Sequence, residues 1–268
     1  MLPRWICLLA LCLALPASAA ELRIDLGRGV APLETARLLQ RADAREVAVP
    51  DDVAYHRAMR YRAVPLADLL PGLAPGDHLQ FVAADGFTAE IPAALILDRR
   101  GARAWLAVED PAHPWPVLPG GDRSAGPFYL VWTDPQAAGV GPEQWPYQLA
   151  AIRRLQGVDA RFPAVVPATA AAAAVQHGFA VFKRTCFACH TMNGEGDATL
   201  GPDLNLPHNP TEYLSAKLLR AFIRDPQSLH RWPQAKMHGF PTQKELSDTD
   251  LDAVLAYLHY MAGHKAVH

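Results

Sequence analysis

Cys186, Cys189 and His190 are the residues of this sequence best suited to chemistry, and their spacing narrows which chemistry it is. In the run Cys186-Phe187-Ala188-Cys189-His190 two thiols flank two residues and an imidazole follows directly. That interval sets both sulfurs along one edge of a porphyrin, where each can add to a vinyl group. The next residue then lies beneath the ring and can ligate iron through an imidazole nitrogen. The motif therefore predicts one covalent haem c, bonded through Cys186 and Cys189, with His190 as axial ligand. Close cysteine pairs serve two other chemistries. A redox-active dithiol should follow a strand and open a helix, whereas this motif ends a helical stretch. A zinc site needs two further ligands, and the remaining cysteines, Cys7 and Cys12, fall in a leader expected to be removed.

The elements that must position this motif are helical. Val175, Phe179 and Phe182 recur at i, i+4 and i+7 and mark one buried face. Tyr213 to Ile223 is a second expected helix, ending near Asp225-Pro226. Ser247 to Met261 is a third, with Ser247-x-x-Asp250 as its N-terminal capping pattern.

Residues 175–268 resemble a class I cytochrome c. Gly178 and Phe182 occupy the helix that in the family packs on the C-terminal helix, carried here by Leu255, Tyr257 and Leu258. Gly201-Pro202-Asp203-Leu204 resembles the segment after the haem histidine. The resemblance implies that the Pro202 carbonyl accepts a hydrogen bond from the second ring nitrogen of His190, fixing the ring. Lys236-Met237 resembles the loop that brings the sixth ligand, which makes Met237 the expected second axial ligand, 47 residues after His190. Met192 is too near His190 to reach the opposite ring face, and Met261 belongs to the terminal helix. His238 stays open as the rival ligand, with His230 behind it, because the family often has Pro at this position. A Met ligand raises the potential and suits electron transfer. His177, His208, His259, His264 and His268 read as surface or helix-end residues.

Residues 21–162 differ in kind. Short apolar runs such as Val47–Pro50, Leu79–Ala83 and Phe128–Trp132 are punctuated by Pro and Gly, as strands are. Leu33–Leu39 and Leu66–Leu70 read as short helices. The fold class is thus two-domain: an N-terminal α+β domain with a mixed sheet, followed by an all-α class I cytochrome c domain. Pro163–Ala174 reads as a Pro/Ala linker whose alanines feed the next helix. The N-terminal pattern resembles the molybdopterin-binding domain of the sulfite oxidase family, through Val64–Leu70, Phe81–Phe87, Trp105–Ala107, Phe128–Trp132 and Ala151–Leu155. That family ligates molybdenum with a cysteine thiolate. This chain has no cysteine between Cys12 and Cys186, so the resemblance implies the scaffold without a molybdenum cofactor, serving to dock or sense. Trp105, Trp115, Trp132 and Trp145 read as core, Asp85-Gly86 as a turn, and Gly120–Gly126 as a loop.

Met1–Arg4, the apolar run Trp5–Leu15 and Ala17-Ser18-Ala19 form a secretory signal over residues 1–20. The run is too short for a comfortable membrane span, so export to the periplasm, with no transmembrane segment after cleavage, is expected. A net charge of −2 argues against nucleic acid as a partner. From Val175 onward nine Lys or Arg balance nine Asp or Glu, which predicts no strong electrostatic steering. The sequence points to a monohaem electron carrier rather than an enzyme, with a dehydrogenase or oxidase as redox partner. Two alternatives remain: an enzyme whose N-terminal domain passes electrons from a small substrate to haem, and a haem sensor in which Met237 exchanges for a gas.

Overall fold

A computed structural model describes residues 20–231 and 236–266. All but the last residue of the expected signal lie outside the described residues, as does His268. Nine strands occur among the described residues: β1 (Glu21–Asp25), β2 (Val30–Glu34), β3 (Arg45–Val49), β4 (Met59–Pro65), β5 (His78–Ala83), β6 (Thr88–Pro92), β7 (Arg103–Val108), β8 (Phe128–Thr133) and β9 (Leu149–Leu155). They form a five-stranded sheet, β2-β1-β9-β5-β6, and a four-stranded sheet, β3-β4-β7-β8. β1 and β9 run parallel, with Ile24 opposite Ile152, while β5 runs antiparallel to β9, so the first sheet is mixed as expected. Phe128 to Trp132 is buried without alternation because both faces of β8 are covered. Trp105, Trp132 and Trp145 are buried in this core.

Helices α1 (Thr35–Leu39) and α2 (Ala93–Leu97) belong to the same domain. Leu33 and Glu34 finish β2, so the first helix starts two residues later than expected. The second domain holds α3 (Val158–Arg161), α4 (Ala173–Thr185), α5 (Pro210–Tyr213), α6 (Ala216–Arg224), α7 (Pro226–Leu229) and α8 (Asp248–Ala262). The single helix expected over Tyr213–Ile223 is broken, because Ser215 takes an extended conformation and its side chain accepts from Leu218 N–H as a fresh N-cap. Ser247 caps α8 as predicted, its Oγ accepting from Asp250 N–H at 3.0 Å.

Packing moves the domain boundary. Val158 and Val165 are buried with Phe179, Phe182 and Tyr257, inside the second core. Tyr257 Oη donates to the Val165 carbonyl at 2.7 Å. The changeover therefore lies before Val158 rather than at 162/163, and 163–174 is partly core rather than a free tether. An apolar side chain every few residues cost the linker its independence, and Pro-Ala composition alone did not register that.

The two domains touch through specific bonds. Thr88 N–H donates to the Ala188 carbonyl at 2.9 Å, and Thr199 N–H to the Gly86 carbonyl at 3.3 Å. Gly86 has φ +95°, and a Cβ there would overlap Thr199 Oγ1. The Asp85-Gly86 turn is thus also a docking surface. Beside it, the Glu90 carboxylate accepts from His78 Nε2 at 2.7 Å, Gln80 Nε2 at 2.9 Å and Arg161. Arg161 also pairs with Asp197 at 2.5 Å. The Glu90 side chain is 3% exposed, so these donors replace water around its carboxylate. Removing one partner of a buried pair typically costs about 3–5 kcal/mol. Arg161→Ala should lower the stability of the full chain by about that amount in chemical denaturation, and a change under about 1 kcal/mol would show the bridge to be solvated.

Candidate haem centre

The geometry around the motif begins with a helix crossing. α4 carries the apolar face Val175, Phe179 and Phe182 against α8, where the Tyr257 ring lies 5.0 Å from that of Phe182 and 5.6 Å from that of Phe179. Gly178 allows the approach, since a Cβ there would overlap the Ala253 carbonyl. Cys186 is the C-cap of α4. The chain then turns tightly, with Cys189 N–H and His190 N–H both donating to the Cys186 carbonyl at 3.1 and 3.0 Å. This single turn brings Cys186, Cys189 and His190 together.

His190 is held from behind. Its Nδ1 donates to the Pro202 carbonyl at 2.8 Å, which fixes the tautomer and leaves Nε2 as the ligating nitrogen. Burial pushes the His190 pKa below the ordinary value, outweighing the opposing pull of the Pro202 carbonyl, so the imidazole is neutral as a metal ligand must be. Gly201 N–H donates to the Cys189 carbonyl at 2.7 Å. A Cβ on Gly201 would stand 2.5 Å from His190 Cε1 and Nδ1. Glycine is required there because the backbone runs against the ring.

The surroundings of the two thiols do not suit a redox dithiol. Both cysteines are free. Burial pushes Cys186 up to about 11 and raises Cys189 as well, with the Glu143 charge adding to each. Reactive Cys-x-x-Cys pairs instead have depressed thiol pKa values. Among the described residues no group of three or more His, Cys, Asp or Glu is placed to hold a metal ion. Two unpaired thiols one turn apart, a neutral imidazole with its far nitrogen free, and a glycine cradle behind the ring fit covalent haem.

Residues 175–262, about a third of the chain, match the family model for cytochrome c. The C-terminal domain is a cytochrome c. No curated protein sequence matches the chain. Among solved structures, the sulfane dehydrogenase SoxCD from Paracoccus pantotrophus is 18% identical, over 53% of this chain and 40% of that one, with a TM-score of 0.37. The aligned part of this chain thus spans less than half of that structure.

Asn193, Asn205 and Asn209 shape the cytochrome c domain in ways the sequence did not announce. All three are buried. Asn205 Nδ2 donates to Asn193 Oδ1 and to the Met261 carbonyl, both at 2.7 Å, and Asn209 Nδ2 donates to the Leu258 carbonyl at 2.9 Å. Asn205 and Asn209 thereby tie the last turns of α8 to the chain that follows His190. Asn193 sits at φ +57°, and Asn-Gly at 193–194 is the signal that could have found it.

Asp203 organises the loop behind His190. Its carboxylate accepts from Gly194, Asn205 and Leu206 N–H at 2.7 Å each, and from Thr191 Oγ1 at 3.0 Å. Burial raises its pKa, but the backbone and Thr191 donors outweigh that, and the net shift is downward from 3.8. A depressed carboxylate stabilises the fold fully above the unfolded pKa and loses that contribution as pH falls through the lower folded value. Asp203→Asn should therefore cost about 2 kcal/mol at pH 7, with the gap to the parent protein closing below pH 4. Denaturant titrations across that range check it, and a gap independent of pH would refute it.

Met237, half-buried, and His238, exposed, follow one another in the loop before α8. The loop is pinned immediately afterwards. A Cβ on Gly239 would overlap the Arg224 carbonyl. The Arg224 guanidinium donates to the carbonyls of Phe240 at 2.9 Å and Leu246 at 2.6 Å. Met192 and Met261 are core residues, under 3% exposed.

Proposed function

We propose that this chain is a periplasmic monohaem electron carrier whose N-terminal domain selects the redox partner. The observation that carries the reading is the clamp on His190, with Nδ1 bonded to the Pro202 carbonyl and Nε2 free beside two unpaired thiols. Bound haem c supplies a one-electron ferric–ferrous couple. Cys186 and Cys189 would hold it through two thioethers, His190 would supply an imidazole nitrogen to its iron, and Met237 is the residue that would complete the iron's coordination. The aromatic cluster of Phe179, Phe182 and Tyr257 supports the cysteine turn and excludes water. The signal over residues 1–20 supports export.

A second reading is favoured by the bonds from Thr88 to Ala188 and from Thr199 to Gly86. They place the N-terminal domain directly on the haem-attachment turn, as a fused electron-donating enzyme would require. The missing molybdenum cysteine weighs against it. Elemental analysis with spectroelectrochemistry of the exported full chain separates the two. One iron per chain, no molybdenum and a single one-electron wave support the carrier, whereas stoichiometric molybdenum or a second redox centre would establish the enzyme.

A further inference from the structure

The N-terminal domain reaches the sixth-ligand loop through one residue. Glu143 lies on the 3-10 turn Pro142–Gln144, which is locked where Trp132 Nε1 donates to the Gln144 carbonyl at 2.7 Å. Its side chain is 6% exposed. His238 Nε2 donates to Glu143 Oε1 at 2.9 Å across the domain boundary. His238 is the neighbour of Met237 and the rival for the sixth position. Its Nε2, at the far end of the ring, is the nitrogen best placed to reach an iron. The bond to Glu143 occupies that nitrogen.

We propose that Glu143 is a positioning residue that decides the axial ligand, tying up His238 so that Met237 takes the iron. Consecutive residues lie 3.8 Å apart along the backbone, so a slip of one position would exchange thioether for imidazole. Gly239 and Arg224 limit the slip from the C-terminal side, and Glu143 limits it from the N-terminal domain. The same 3-10 turn packs against α4, the helix that ends on Cys186. Through this contact the N-terminal domain sets the character of the haem rather than only its partner. A methionine ligand raises the potential relative to bis-histidine ligation, so loss of the contact would lower it.

The inference rests on Met237 being the sixth ligand, and the test keeps the two apart. The ferric spectrum of the haem-loaded full chain should contain the far-red sulfur-to-iron charge-transfer band; its absence in the parent protein would sink the Met237 assignment itself. Glu143→Ala should lose most of that band, acquire a bis-histidine paramagnetic resonance signature and show a lower potential. Adding His238→Ala to Glu143→Ala should restore the band, because the competing imidazole is gone. Glu143→Gln keeps an acceptor without the charge and should give a mixture of both spectra, which covers the case where Glu143→Ala does not fold. A full band in both Glu143 variants, or no recovery in the double variant, would overturn the proposal.

Discussion

Gly201→Val should unseat His190 while leaving haem covalently attached. The Cβ would lie 2.5 Å from Cε1 and Nδ1 of the imidazole, inside any tolerable contact, and one of the two must move. The Gly201 backbone is tied to the Cys189 carbonyl at 2.7 Å, so the ring gives way and its bond to Pro202 breaks. Loss of the partner that orients a metal-bound histidine typically weakens metal binding about 10–100-fold. The low-spin ferrous spectrum should give way to a largely high-spin one that binds carbon monoxide readily. Both cysteines remain, so mass spectrometry should still find the haem adduct. A low-spin spectrum unchanged from the parent would mean that the ring does not sit where Gly201 requires.

Gly178→Val should act on the fold rather than on the metal. Here a side chain would collide with the Ala253 carbonyl and the Tyr257 Cβ at the crossing of α4 and α8. These are backbone and buried atoms that cannot swing aside, and the crossing supports the turn that carries Cys186. Forced separation of packed helices costs about 3 kcal/mol or more. For a domain of this size that lowers the thermal midpoint by roughly 10–20 °C. Scanning calorimetry of the haem-loaded protein measures it, and a shift of only a few degrees would show that the helices can separate cheaply.

How much of this was legible in the sequence follows from the range of the interactions. The Cys-x-x-Cys-His turn, the α4 stripe and the Ser247 cap are local, and each was readable from spacing alone. The Pro202 contact came from resemblance to a family, and the hydrogen bond is formed at 2.8 Å. Three features escaped for lack of a local signal. Ser215 breaks the helix expected over Tyr213–Ile223 because an N-cap serine looks like any helix-surface serine until its φ and ψ are known. Val158 and Val165 join the second core from a stretch whose Pro and Ala content suggested a linker. Glu143 and His238 meet across 95 residues of chain and a domain boundary. Arg161 with Glu90, 71 residues apart, is the same case. No periodicity encodes such pairs, so the contacts between the two domains emerged only in three dimensions.

Two thioether bonds, from Cys186 and Cys189 to one porphyrin, underlie every role assigned to the haem-attachment turn. The direct measurement is acid–acetone extraction of exported, matured protein, paired with intact mass, on the parent chain and on Cys186→Ala/Cys189→Ala. The colour should stay with the parent protein, at a mass one haem heavier than the polypeptide, and be absent or fully extractable from the double variant. Extractable colour in the parent, or a covalent adduct that survives loss of both cysteines, would contradict it.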